Sequence, residues 1–289
     1  MTSQSEQEVP EKRLVILKIG GQVVDSPAIL EQFSAGAMRL LNQSDAPIQA
    51  MIIVHGGGAV ATQISKRLGV DSRMVQGRRI TSAEMRDVCV MVYRGLVNTA
   101  VVTALQRHAA STYTVVGVCG ADAQCLRSVR RLPVEMGETV IDFGFVGDIE
   151  SVRVSFFHDL LMQRSIPVIA PLTVTHDGTI LNTNADTIAQ EIAVAMAGMP
   201  GNGYHVELWY CFEKKGVLRD VHDDTSVIPQ ITAGEYEEYK RQGIITGGMI
   251  PKIDNAFQAI ARGVHSVRIC HAEDIASMQD TSFGTVIIE

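Results

Sequence analysis

The chain has 289 residues, of which 46% are hydrophobic and 20% charged, with a formal net charge of −7. That composition excludes a collagenous, low-complexity or wholly disordered protein, and the length suits one large domain or two modest lobes. The acidic balance, with a pI near 5.6, argues against a general nucleic-acid or anionic-membrane binder, which needs a basic face. It leaves a local anion site open.

Residues 1–12 read as a loose polar tail, neither signal nor transit peptide. Leu14-Val15-Ile16-Leu17 is a short β-branched run, as in a strand covered on both faces. Residues 27–42 carry helical periodicity. Met51-Ile52-Ile53-Val54 is a second buried strand, ending at His55 and three glycines, and residues 59–68 form a helix. A long helix follows over 82–108, capped by Thr81 or Ser82 with Glu84 in its first turn. Its apolar residues on more than one face suggest a subunit contact. Residues 115–118 are a strand. Across 127–149 the glycine-separated segments Thr139-Val140-Ile141-Asp142 and Phe145-Val146 suggest a small hairpin excursion. Alternation resumes with a helix at 156–162, a strand at 167–169 and a turn at His176-Asp177-Gly178. A helix at 184–196, a strand at 206–211, helices at 233–241 and 248–262, and strands at 267–270 and 284–288 complete the chain. This order predicts an α/β fold: an open sandwich of helices about a mainly parallel sheet, in two lobes of one continuous sheet. No run reaches the ~18 continuous apolar residues of a membrane helix. The five cysteines, Cys89, Cys119, Cys125, Cys211 and Cys270, are scattered without a CxxC pair, as in a reduced cytoplasmic protein with buried thiols.

Two glycine turns follow buried strands: Lys18-Ile19-Gly20-Gly21 and His55-Gly56-Gly57-Gly58. Glycine lets backbone N–H groups approach a ligand, and a following helix adds its positive end, so together the turns suggest a phosphate site. The Walker pattern is absent. Gly56, Gly58 and Ala61 match the dinucleotide fingerprint, but the basic stretch Gln76-Gly77-Arg78-Arg79-Ile80 stands where an acid should close the next strand. In Thr246-Gly247-Gly248-Met249-Ile250-Pro251-Lys252 a helix starts beside a lysine, an awkward pairing unless an anion shares the place. Asn182-Thr183-Asn184-Ala185-Asp186 crowds three polar groups at a helix start where a cap explains one. Arg79 is placed to fork onto a carboxylate. Arg127, Arg130 and Arg131 read as a solvated loop, and His222-Asp223-Asp224 lacks a second group of metal ligands.

Taken in order, K-x-G-G at 18–21, H-G-G-G at 55–58, G-x-R-I-T at 77–81, D-x-G-F-V-G at 142–147, N-x-N-A-D at 182–186, G-x-I-x-x-G-M at 243–249 and Lys252 resemble the amino acid kinase family over nearly the whole chain. Within it the chain resembles the branch acting on N-acetyl-L-glutamate. The resemblance implies an acyl-amino-acid lobe at 13–180 and an ATP lobe at 181–289. The γ-phosphoryl of ATP would pass to the substrate's side-chain carboxylate for arginine synthesis, with Mg²⁺ accompanying ATP. It implies catalytic roles for Lys18, Lys252 and Asp186, and substrate binding by Gly57, Gly58, Arg79 and Asn182. Phosphate or ATP binding would fall to Gly20, Gly21, Glu213, Gly216, Leu218, Thr246 and Gly247. No protein metal ligand is implied. The nucleophile, a carboxylate with a pKa near ~4.3, is already ionised at neutral pH and needs no general base.

The sequence departs from the family at Cys211-Phe212-Glu213, where Phe212 replaces a small hydroxyl residue and Glu213 keeps an acid. Lys214 and Lys215 read as surface charge. This segment resembles a branch thought to use N-succinyl intermediates, for which Arg127, Arg130 or Arg131 would read a second carboxylate. A non-catalytic amino-acid or nucleotide sensor of the same fold, and an NAD-dependent oxidoreductase, are the further alternatives. The short tail leads to the expectation of a homodimer without strong arginine inhibition, with no nucleic-acid or membrane partner.

Overall fold

A computed structural model of the protein describes residues 12–42, 48–137, 139–201, 203–212, 214–277 and 283–289. The expected tail, apart from Lys12, and Glu213 lie outside the described residues. In chain order, β1 (Lys12–Ile19), α1 (Gly21–Asp25), α2 (Pro27–Asn42), β2 (Ala50–His55) and α3 (Gly58–Arg67) open the fold. A two-residue hairpin, β3 (Met74–Val75) and β4 (Arg78–Arg79), precedes α4 (Ala83–Cys89). That helix continues through π-helical turns over Val90–Val97 into α5 (Asn98–His108), followed by β5 (Thr114–Val118). Next come β6 (Leu126–Arg130), β7 (Val134–Met136), β8 (Thr139–Ile141), β9 (Gly147–Val152), α6 (Val154–Met162), β10 (Ser165–Ile169), β11 (Leu172–Val174) and β12 (Ile180–Asn182). The remaining elements are α7 (Ala185–Ala197), β13 (Tyr204–Phe212), β14 (Gln230–Ile231), α8 (Ala233–Arg241), α9 (Met249–Ala261), β15 (Ser266–His271), α10 (Ala272–Ser277) and β16 (Thr285–Ile287).

Eight strands form the main sheet in the order β14-β16-β15-β13-β1-β2-β10-β5. Every pairing in it is parallel except β15 with β16. β1 is central because both of its faces are covered. Val15, Leu17 and Ile19 enter one core with α2, α4 and α5, while Leu14 and Ile16 enter the other with α6, α7 and α9. A strand buried on both sides must be apolar at every position, so this run shows no alternation. Each fully buried aliphatic contributes ~1.5–3 kcal/mol. The expected open sandwich with a mainly parallel sheet is the observed fold.

Ser82 starts the long helix, its Oγ accepting from Met85 N at 3.1 Å. By length and composition Ala83–His108 would pass for a membrane span, but half of its apolar window is buried. Val88, Val92, Val101 and Leu105 all face the first core. Met91 and Leu96 remain 54% exposed.

The hairpin excursion is larger than expected and differently paired. β8 pairs with β7, not with Phe145-Val146. β6 and β9 join β11 and β12 in a separate four-stranded sheet. The reason lies in two glycines. Gly137, at φ +62°, turns the β7–β8 chain, and Gly144, at φ +70°, lies so near Thr81 that an added Cβ would meet its carbonyl oxygen at 2.3 Å. Residues 143–146 therefore thread between Thr81 and Asn182. Thr81 N donates to Phe143 O, Phe145 N to Thr81 O, and Asn182 N to Phe145 O.

Candidate active site

The carboxyl ends of β1, β2 and β13 meet where the chain order reverses across the sheet, the place where open parallel sheets bind ligands. The two glycine turns abut there. Gly56 N donates to Ile19 O at 3.0 Å, and a Cβ on Gly56 would lie 3.6 Å from Gly21 N. Gly57 has φ +145°, and a Cβ there would come within 3.1 Å of the Tyr93 ring, so a side chain is doubly excluded.

The second turn is fixed from beneath by a buried polar chain. His55 Nδ1 donates to Gly56 O at 2.6 Å, and Nε2 accepts from the Asn98 amide at 3.1 Å. Asn98 also donates to Val168 O, and its Oδ1 accepts from Arg94 at 2.8 Å. Arg94 in turn pairs with Asp122 at 3.3 Å. Burial drives the His55 pKa down to about 4, assisted by the Arg94 charge and opposed by the Gly56 carbonyl. The imidazole is therefore neutral at physiological pH and acts as a brace, not a base.

Lys18 is 8% exposed and stands in register with Tyr210 on β13. Its Nζ lies 2.9 Å from Asp186 Oδ1. Asp186 is in the first turn of α7, whose N-cap is Asn184; the Asn184 Oδ1 accepts from Asp186 N at 2.8 Å and Thr187 N at 3.1 Å. The helix end favours the carboxylate it carries. Lys252, in the first turn of α9, lies 3.6 Å above the centre of the Phe212 ring, and Lys18 Nζ lies 5.2 Å from the same centre. Lys18, Lys252 and Asp186 thus come together from three distant parts of the sequence.

Two larger clefts adjoin this group: Ala185, next to Asp186, lines the first and Lys18 lines the second. One, of about 610 Å³, is lined by Gly57, Gly58, Arg79, Tyr93, Asn182 and Asn184 among others. Arg79 is 5% exposed. Its Nη2 donates to Gly58 O at 2.8 Å and Thr62 Oγ1 at 2.9 Å, and Nη1 donates to Ser72 Oγ. Its Nε is buried without a hydrogen-bond partner, an orphan donor of the kind a carboxylate satisfies. Asn182 donates to Thr81 Oγ1 at 3.1 Å. A second cleft, of about 720 Å³, is lined by Lys18, Gly20, Gly21, Cys211, Phe212 and His271 among others.

Other expected residues fall elsewhere. Thr246 and Gly247 lie exposed in the turn before α9 and line neither cleft. Gly216 is buried where a Cβ would meet Thr285 Oγ1 at 2.7 Å, and Leu218 is 8% exposed in a bridge to Val227. Lys214 pairs with Asp224 at the surface. Arg130 and Arg131 are engaged by Asp142 and Asp148, and Arg127 by Gln124. None of the three lines the first cleft, whereas Arg78, to which the sequence pattern assigns no role, does. Tyr93, Met74 and Pro171, likewise given no role by the sequence pattern, also line it. Nothing in the sequence marks Tyr93 except that a ring must lie against Gly57. The dinucleotide reading fails because residues 74–79 form a short hairpin instead of a strand closed by an acid. All five cysteines are buried and free.

Known proteins resemble this chain along nearly its whole length. An acetylglutamate kinase of Bacteroides thetaiotaomicron is 46% identical over 270 residues, covering 93% of this chain and 98% of the relative. An acetylglutamate kinase of Phocaeicola vulgatus is 47% identical over 277 residues, covering 96% and 99%. Among solved structures, carbamate kinase from Giardia lamblia bound to AMP-PNP shares the fold with a TM-score of 0.64 at 11% identity, covering 96% of this chain and 99% of that one. Residues 13–271 match the amino acid kinase family, and with curated relatives of such identity along nearly its full length, the chain belongs to that family.

Proposed function

We propose that this protein is an acetylglutamate kinase. It transfers the γ-phosphoryl group of ATP to the γ-carboxylate of N-acetyl-L-glutamate, giving the acyl phosphate used in arginine biosynthesis. The observation that carries the reading is the convergence of Lys18 and Lys252 on one place beside the clefts, with Asp186 holding Lys18 at 2.9 Å.

In this reading the first cleft takes the acyl amino acid. Arg79 grips the α-carboxylate, Asn182 the acylamide, and the Gly57 and Gly58 backbone the reacting end. The second cleft, beside Gly20 and Gly21, takes the phosphate end of the nucleotide. Residues 13–180 supply most of the acyl side and residues 181–289 the nucleotide side, with Glu213, Gly216, Leu218, Thr246 and Gly247 retained as candidates for nucleotide contact. The nucleophile arrives ionised, so the protein has to position it in line and neutralise charge on the transferring group. Lys18 and Lys252 neutralise that charge from two sides. Mg²⁺ would enter with the nucleotide, coordinated mainly by phosphate oxygens and water. Asp186, with a side chain 41% exposed, fits as acceptor for a metal-bound water.

A cytoplasmic homodimer follows from the same reading, supported by the free cysteines and by the exposed Met91 and Leu96 on the long helix. The decisive assay is ATP-dependent acyl-phosphate formation trapped with hydroxylamine, comparing N-acetylglutamate, N-succinylglutamate, glutamate and aspartate. Turnover is expected with N-acetylglutamate, and its absence overturns the assignment.

A further inference from the structure

We infer that Phe212 is a positioning residue whose ring holds the Lys18 and Lys252 side chains converged on the point of phosphoryl transfer. The inference rests on the kinase reading for its consequence, and on geometry alone for its existence.

The ring's place follows from strand register. Lys18 is paired with Tyr210 across β1 and β13. Side chains alternate along a strand, so Tyr210 and Phe212 share the face that carries Lys18. Tyr210 is 5% exposed, and its hydroxyl donates to Asp186 O at 3.4 Å. Its ring stacks on Phe212 with centroids 5.8 Å apart and planes 14° from parallel. The core thereby sets the plane of Phe212. On that ring rest two cations, Lys252 Nζ at 3.6 Å and Lys18 Nζ at 5.2 Å from the centroid.

Two ammonium groups drawn to one place repel each other before phosphate lies between them. Asp186 offsets part of that repulsion through Lys18. A second carboxylate at position 212 would attract both lysines but would also repel the incoming phosphate and compete for the lysine N–H groups. An aromatic face attracts cations through its quadrupole, carries no net charge and accepts little from the N–H donors. Phe212 therefore attracts both lysines without itself taking up their N–H donors. The same replacement of a small hydroxyl residue that looks disruptive in the sequence becomes a support for the catalytic charges.

The test compares Phe212→Leu, which keeps apolar bulk without a π face, with Phe212→Tyr, which keeps both. The lysines are reductively methylated with ¹³C-formaldehyde, and the Lys252 resonance is assigned from its loss in Lys252→Arg. In the native protein that resonance should be shifted upfield by the ring current, and Phe212→Leu should abolish the shift. Phe212→Leu should lower kcat about 5- to 30-fold with KM for both substrates little changed, and Phe212→Tyr should regain the lost turnover. A Lys252 resonance without an upfield shift overturns the inference. So does native kcat in Phe212→Leu, or an equal loss in Phe212→Tyr. Absence of native turnover on N-acetylglutamate counts against the kinase reading, while the resonance still tests the platform.

Discussion

The two clefts are built differently. The wall of the Arg79 cleft is tied by directional bonds. Thr81, Phe145 and Asn182 are laced together through their backbones, Arg79 is anchored on Gly58 and Thr62, and the glycine turn is braced through His55, Asn98 and Arg94. The side on which Lys252 stands is more open. Lys252 is steadied by an aromatic face, and Thr246, Gly247 and Gly248 ahead of it are exposed. Directional polar walls discriminate among small acids, because a wrong ligand leaves buried donors unpaired. Charge stabilisation of a transferring phosphoryl group asks for nearby cations with some freedom to follow it. The molecule builds its recognition wall from directional bonds and gathers its transfer charges about one carboxylate and one aromatic ring.

Breaking the transfer side should have the largest effect. Lys18→Ala is expected to lower kcat by ~10²–10³ with circular dichroism and thermal midpoint near native. Near-native kcat would remove Lys18 from the chemistry. The recognition side carries the next largest effect, and it is a pH dependence. Burial holds His55 in the folded state at about 4, against an ordinary value of 6.5. Between those values the unfolded chain binds a proton that the folded chain does not. Stability should therefore fall as pH drops from about 6.5 to about 4, by up to roughly 3 kcal/mol. His55→Gln should flatten that part of the profile in denaturant titrations across pH. An unchanged slope would assign the acid sensitivity to other groups.

The contrast between the sides also governs what could be read from the sequence. Runs such as Leu14-Val15-Ile16-Leu17 announce a doubly covered strand because burial demands apolar residues in succession. The glycine turns announce themselves because no other residue tolerates the conformation of Gly57. Of the crowded Asn182–Asp186 segment, Asn184 is the cap, and Asn182 and Asp186 point to the cleft and to Lys18. The strands β11 and β12 escaped notice because three residues carry no period. The path of Phe145-Val146 away from β8 goes with the contact of Gly144 with Thr81, distant in sequence. Phe212 was visible only as a departure. Its value depends on where Tyr210 and Lys252 stand in space, which no local pattern encodes.

Two smaller perturbations sharpen the contrast. Arg79→Lys keeps the charge and loses the fork that reaches Gly58 and Thr62 together. Hydrogen bonds to charged groups contribute about 1.5–3 kcal/mol. KM for the acyl amino acid should therefore rise about 10- to 100-fold, with KM for ATP little affected. An equal rise in both would mean that Arg79 supports the fold of the whole site instead of one ligand.

Asn184→Ala has the smallest expected effect and asks how far the two sides are coupled. The Asn184 side chain satisfies the first N–H groups of α7, and one of them belongs to Asp186 itself. Loss of an N-cap costs ~1 kcal/mol, to be read as a lower midpoint in urea. If the cap is only a helix stop, kcat should stay at its native value. If it also orients Asp186, the Lys18 contact at 2.9 Å loosens and kcat falls with it. We expect a modest fall in kcat together with the loss of stability, because the capped N–H and the carboxylate are on the same residue. Asn184→Asp, which can still cap, should restore the stability. Restored stability without restored kcat would place the added charge beside Asp186 and the phosphate path, and would locate the boundary between recognition and transfer at the first turn of α7.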